Sequence, residues 1–128
     1  MKRIVVIICF AFCFIVNAQA QNTKGEENLE KPTYALYKTQ NMWIFIKLNT
    51  RNGRMWLVQY SVSNRSNIVQ TDLSLENLAI GKEAKNGRFK LVPTDNMWTF
   101  LLLDQIDGDV WQVQWSLESS NRGIIKIG

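Results

Sequence analysis

Asn41-Met42-Trp43-Ile44-Phe45-Ile46-Lys47-Leu48-Asn49-Thr50-Arg51-Asn52-Gly53-Arg54-Met55-Trp56-Leu57-Val58-Gln59-Tyr60-Ser61 reads as two apolar strands joined at Asn52-Gly53. Asn-Gly between such runs is a strong hairpin signal, because glycine takes a positive φ without a Cβ clash. The return run alternates. Trp56, Val58 and Tyr60 face one way and Met55, Leu57 and Gln59 the other, a period of two that belongs to a sheet. We expect the tryptophan side to face inward. The outgoing run is apolar on both faces, with Trp43 and Phe45 on one and Met42, Ile44, Ile46 and Leu48 on the other. Such a strand is covered on both sides.

The same text recurs fifty-five residues later. Tyr34 to Ser61 aligns without gaps on Phe89 to Ser116, and 12 of the 28 positions are identical, including Asn41/Asn96, Met42/Met97, Trp43/Trp98, Gly53/Gly108, Trp56/Trp111 and Gln59/Gln114. A short gap then brings Asn64-Arg65 onto Asn121-Arg122. Identity at two tryptophans, a Met-Trp pair and a turn glycine marks an internal duplication. In the second copy Asp107-Gly108 replaces Asn52-Gly53 at the turn. The copies differ where Lys47 becomes Leu102 and Ile44 becomes Thr99, so their environments differ.

Outward from each hairpin lies a shorter strand before it, Tyr34 to Lys38 or Arg88 to Val92, across a polar corner at Thr39-Gln40-Asn41 or Thr94-Asp95-Asn96. Ile68 to Gln70 and Ile124 to Ile127 read as a fourth strand after it. The expected fold is all-β: two pseudo-symmetric four-stranded antiparallel meanders, related by a two-fold and packed as a sandwich or small barrel. Repeat 1 spans 34–71, a connector 72–87 and repeat 2 88–128, together one domain over 34–128. The connector carries Leu73, Leu75, Leu78 and Ala79, enough for one helical turn or an extended segment.

Met1 to Ala20 reads as a cleavable export signal: Lys2 and Arg3, an apolar run from Ile4 to Val16, then the small-x-small site Ala18-Gln19-Ala20. Residues 21–33 are polar and aperiodic, a flexible lead-in. The expected location is periplasmic or extracellular, with no membrane span, since the apolar run falls short of the ~20 residues needed. Beyond the signal, thirteen basic side chains face eleven acidic ones. That small excess argues against nucleic acid as a partner.

No histidine occurs, and both cysteines (Cys9 and Cys13) lie in the signal. Imidazole bases, thiol chemistry and the usual zinc ligands are therefore missing from the rest, and we assign no catalytic residue, no metal and no cofactor. Asp104, Asp107 and Asp109 have neither the alternate spacing nor the distal glutamate of a familiar calcium loop, and read as a hairpin turn. Trp56 and Trp111 read as core. Trp43 and Trp98 follow the polar corners and can stand at a rim, and the exchange of Tyr60 for Trp115 suggests a half-buried ring with a polar edge. With Gln59 and Gln114, these four are the candidate binding residues.

The pattern Asn-Met-Trp-x-Phe-(Ile/Leu)-x-Leu-(Asn/Asp)-x-x-(Asn/Asp)-Gly-x-x-Trp-x-Val-Gln-(Tyr/Trp)-Ser resembles repeats in small exported proteins of Bacteroidetes-type bacteria, over most of the chain. That resemblance implies export and no particular activity. A weaker likeness links the turn to the blades of quinoprotein-type β-propellers, although here the glycine-to-tryptophan gap is a residue shorter. The expected function is a non-enzymatic envelope binding module for a protein or glycan, with self-association plausible because meander edges need cover. The alternative is an envelope hydrolase or accessory inhibitor built on the Asp104–Asp109 turn.

Overall fold

A computed structural model of the chain describes residues 31–128, so the export signal and most of the lead-in lie outside the described residues. Eight strands follow in order: β1 (Tyr34–Lys38), β2 (Ile44–Asn49), β3 (Met55–Gln59), β4 (Val69–Ser74), β5 (Phe89–Pro93), β6 (Thr99–Asp104), β7 (Val110–Gln114) and β8 (Gly123–Ile127). They form two separate antiparallel sheets of order β1-β2-β3-β4 and β5-β6-β7-β8. The architecture is all-β, a sandwich of two similar sheets. No helix among the described residues is long and apolar enough to cross a membrane.

The two copies fold alike because the same residues do the same local work. Tyr34 stands opposite Asn49 and Phe89 opposite Asp104; Ile44 pairs with Gln59 and Thr99 with Gln114. At the turns, Gly53 and Gly108 take φ of 80° and 79°. Each donates its N–H to the carbonyl of Asn49 or Asp104, at 2.9 and 2.8 Å. The fourth strands differ. A bulge beside Met55 and Trp56 shifts the β3–β4 register, and β4 runs to Ser74, taking in residues read from sequence as connector.

The connector, residues 75–88, is a series of turns. Leu78 donates its N–H to the Asn52 carbonyl at 2.8 Å, and its side chain covers Gly53. Ala79 is buried beside it. The second meander then hangs from the first hairpin: Thr50 accepts the Gly87 N–H on its hydroxyl and the Phe89 N–H on its carbonyl, both at 2.9 Å.

The packing corrects the expected symmetry. Sheet 1 buries Ile44, Ile46 and Leu48 of β2 with Met55 and Leu57 of β3. Sheet 2 buries Phe100, Leu102 and Asp104 of β6 with Trp111 and Val113 of β7. In the aligned copies these are opposite faces. The first set corresponds to Thr99, Leu101, Leu103, Val110 and Gln112; the second to Phe45, Lys47, Asn49, Trp56 and Val58. A two-fold would bury the same face of both copies. Here the front of one lies on the back of the other, β4 against β8 and β2 against β5.

Trp111 is therefore core, as expected, whereas Trp56 is not. Trp56 lies half-buried on the outer face of sheet 1, beside Tyr34, with the Lys47 ammonium 4.7 Å above its ring. Lys47 keeps its charge hydrated and hydrogen-bonded, donating to Gln70 Oε1 at 2.7 Å. Its Leu102 counterpart is fully buried.

Candidate functional site

Each polar corner is wired to aim a tryptophan. In the second copy the Thr94 hydroxyl donates to the Thr99 carbonyl at 2.7 Å and accepts the Asn96 N–H, while Asn96 Oδ1 accepts the Trp98 N–H at 2.9 Å. In the first, Thr39, Asn41, Trp43 and Ile44 repeat those bonds. The identical Thr and Asn are thus turn-forming groups, using side-chain oxygens to satisfy backbone donors.

The corner then meets the end of the return strand. The Trp98 carbonyl accepts the Trp115 N–H at 2.9 Å, and the Trp43 carbonyl accepts that of Tyr60 at 3.1 Å. The rings pack as tilted pairs, Trp98–Trp115 at 4.6 Å and Trp43–Tyr60 at 5.1 Å between centroids. Four of the six candidate residues are assembled this way into two equivalent pairs. Gln59 and Gln114 stand next to Tyr60 and Trp115 in the chain, Gln59 half-buried and Gln114 exposed.

The pairs diverge in what surrounds them. Trp115 is 0% exposed and anchors its indole by donating Nε1–H to the Met97 carbonyl at 2.8 Å. The polar edge was expected; the complete burial was not. In front of it Trp98 is 40% exposed, at the lip of an open groove of about 420 Å³ whose lining includes Gln114, Leu117, Glu118 and Asn121. The Asn121 amide donates to Glu118 Oε2 at 3.2 Å. Arg122 shapes the rim, donating to the carbonyls of Ser116 (2.6 Å) and Leu117 (2.8 Å) and reaching the Asp72 carbonyl of β4 at 3.2 Å.

Glu118 and Asn121 were not singled out from the sequence, where the two Asn-Arg pairs are matched across a gap. Four residues separate Ser116 from Asn121, against two between Ser61 and Asn64. In the fold the order reverses: nine residues lie between the paired Gln59 and Val69, and eight between Gln114 and Gly123. Asn64 caps a short 3₁₀ turn, Arg65–Asn67, through the Ser66 N–H, and Glu118 precedes the matching turn Ser119–Asn121, so the counterpart of Asn121 is Asn67.

Asp104, Asp107 and Asp109 do come together, with carboxylate oxygens within 4.8 Å of one another. Protein cations meet them. Asp104 is fully buried against Arg88, which is 3% exposed; Nε and Nη2 of Arg88 donate to its two oxygens at 3.1 and 2.8 Å. Asp104 Oδ1 also accepts the N–H groups of Ile106 and Asp107. Burial pushes the Asp104 carboxyl up, but the Arg88 bonds and the two amides outweigh it and hold the group below the usual carboxylate range. Its hydrogen bond to Asp104 likewise raises Arg88. Asp107 is lowered by its contact with Lys82 at 2.6 Å, and Asp109 faces Lys82 and Lys126, both at 3.6 Å. This is a hairpin turn closed by an ion-pair network that fastens the connector.

No family model, curated protein or solved structure matches the chain.

Proposed function

We propose that the protein is a non-enzymatic binding module of the cell envelope, and that its ligand is a glycan with a sugar ring seated on Trp98. The observation that carries this reading is the exposed Trp98 indole, braced from behind by the buried Trp115 and facing polar side chains across the groove. An aromatic plane beside a few convergent polar groups suits a ligand with apolar C–H faces and a hydroxylated rim. At about 420 Å³ the groove falls in the range of roughly 300–1,000 Å³ that small-ligand sites occupy. Export to the periplasm or cell surface, supported by the reading of residues 1–20, places the module where such glycans occur.

Tryptophan emission titrated with a panel of cell-surface oligosaccharides tests the reading. The native protein should give a saturable change with at least one member. Trp98→Ala should abolish that change while keeping a native circular dichroism spectrum and a cooperative melt, the lost ring contact with Trp115 costing about 1 kcal/mol. Silence across the panel, or a response that survives in Trp98→Ala, overturns it.

A further inference from the structure

Front-to-back packing leaves each sheet with one outer face, and the two outer faces are not alike. The outer face of sheet 1 carries Tyr34, Leu36, Phe45, Lys47, Trp56 and Val58. These are the counterparts of Phe89, Leu91, Phe100, Leu102, Trp111 and Val113, the surface that sheet 2 lays on sheet 1. The outer face of sheet 2 carries Thr99, Leu101, Leu103, Val110 and Gln112, the counterparts of the surface that sheet 1 offers in return. We propose that these faces are the two halves of one further interface, and that the partner is a second copy of this chain, stacked head to tail so that sheet 2 of one copy lies on sheet 1 of the next.

Four observations support a copy of the chain over an unrelated occupant. First, the interface already exists once inside the molecule, so its shape is a demonstrated solution for this repeat. Second, the outer face of sheet 1 leaves large apolar groups in water: Leu36 is 62% exposed where its counterpart Leu91 is 1% exposed, and Tyr34 is exposed where Phe89 is buried. Third, both outer faces have exchanged apolar for polar groups relative to the internal one. Lys47 stands for Leu102 on one, and Thr99 and Gln112 stand for Ile44 and Leu57 on the other. That is the composition of an interface joining chains that must first fold in water, as against a core never exposed. Fourth, the backbone bond across the internal contact, Phe89 N–H to the Thr50 carbonyl, has a ready counterpart. Tyr34 occupies the place of Phe89 and Gln105 that of Thr50, so the Tyr34 N–H of one copy would meet the Gln105 carbonyl of another.

A front-to-back contact is heterologous: it uses two different patches, and repetition closes a ring or grows a filament, depending on the rotation per step. Rings of four-stranded sheets typically hold about four to eight of them. At two sheets per chain, closure corresponds to about two to four chains.

The test uses one blocking variant for each face. Leu36→Arg places a second cation beside Lys47, its partner in the β1–β2 register. The paired substitutions Gln112→Arg and Ile125→Arg, neighbours in the β7–β8 register and both exposed, charge the outer face of sheet 2. Light scattering should give the native protein a mass of two to four chains, or one that rises with concentration. Either variant alone should have the mass of one chain, with an unchanged circular dichroism spectrum and a cooperative melt whose midpoint no longer depends on protein concentration. Mixed, the two should form a dimer and stop there, because the mixture retains one intact front and one intact back per pair. A native monomer across the accessible concentration range overturns the proposal. So does a variant pair in which only one member dissociates, or a mixture that remains monomeric, since either result points to a two-fold contact or to none.

Discussion

The two copies share twelve of twenty-eight residues and one backbone plan, yet each presents to the core the face that the other presents to water. The first buries aliphatic Ile44, Ile46, Leu48 and Leu57 and leaves its aromatic face outward; the second buries Phe100, Trp111 and Trp115 and leaves Leu101 and Leu103 outward. Strand order and register therefore belong to the repeat, because turn chemistry and cross-strand pairing act within one sheet. Inside and outside belong to the position in the stack. The same tryptophan can be core in one copy and a half-covered platform in the other.

Trp111 and Trp56 expose this contrast at its largest. Trp111→Ala should destabilise the fold by about 3–5 kcal/mol, the usual range for emptying a buried aromatic site. Trp56→Ala removes a half-buried ring and should cost about 1 kcal/mol. Urea unfolding of both variants measures the difference, and equal losses would refute the opposite-face packing.

The turn carboxylate gives the next effect. Asp104→Asn leaves the buried Arg88 guanidinium short of its counter-charge and should cost about 3 kcal/mol. At the matching position in the first copy, Asn49→Ala removes only a neutral turn contact to the Arg51 N–H and should cost about 1 kcal/mol. Because the folded carboxyl titrates below the unfolded value of about 3.9, its contribution is present above roughly pH 4 and is lost as acid carries the pH through the folded value. The stability gap between native and Asp104→Asn should therefore narrow below about pH 4. A gap that stays constant between neutral and acidic buffers would contradict the ion-pair account.

The smallest contrast lies at the turn glycines. Both have positive φ, so alanine at either should cost about 1–2 kcal/mol of backbone strain. Gly53→Ala adds a collision, since its Cβ would come within 2.8 Å of Leu78 Cδ1, whereas nothing lies within 4 Å at Gly108. Thermal unfolding should rank Gly53→Ala below Gly108→Ala by a degree or more, according to how far the leucine tip yields.

Hairpins, strand order and the duplication were legible because Asn52-Gly53, Asp107-Gly108 and the period of two report local geometry directly. Which face turns inward was harder to read. Alternation separates two faces without saying which one meets a neighbour, and β2 is apolar on both. The differences between copies held the answer. Lys47 for Leu102 marks one face as wet in the first copy, and Gln112 for Leu57 with Thr99 for Ile44 marks the other face as wet in the second. The Arg88–Asp104 pair left a similar trace, since its counterparts Thr33 and Asn49 are both neutral. At the candidate site, the aromatic pairs followed from the alignment, whereas the groove wall depends on the 3₁₀ turn Ser119–Asn121, whose shape no periodicity encodes.

A sandwich that pairs identical surfaces is finished after one duplication, for any third unit would need a surface of a new kind. This fold is open-ended in the hereditary sense. Another tandem copy of the fifty-five-residue unit, inserted in frame, would find its seat already prepared, with Thr50-like and Phe89-like positions to dock it. Lengthening by gene duplication requires no new surface chemistry.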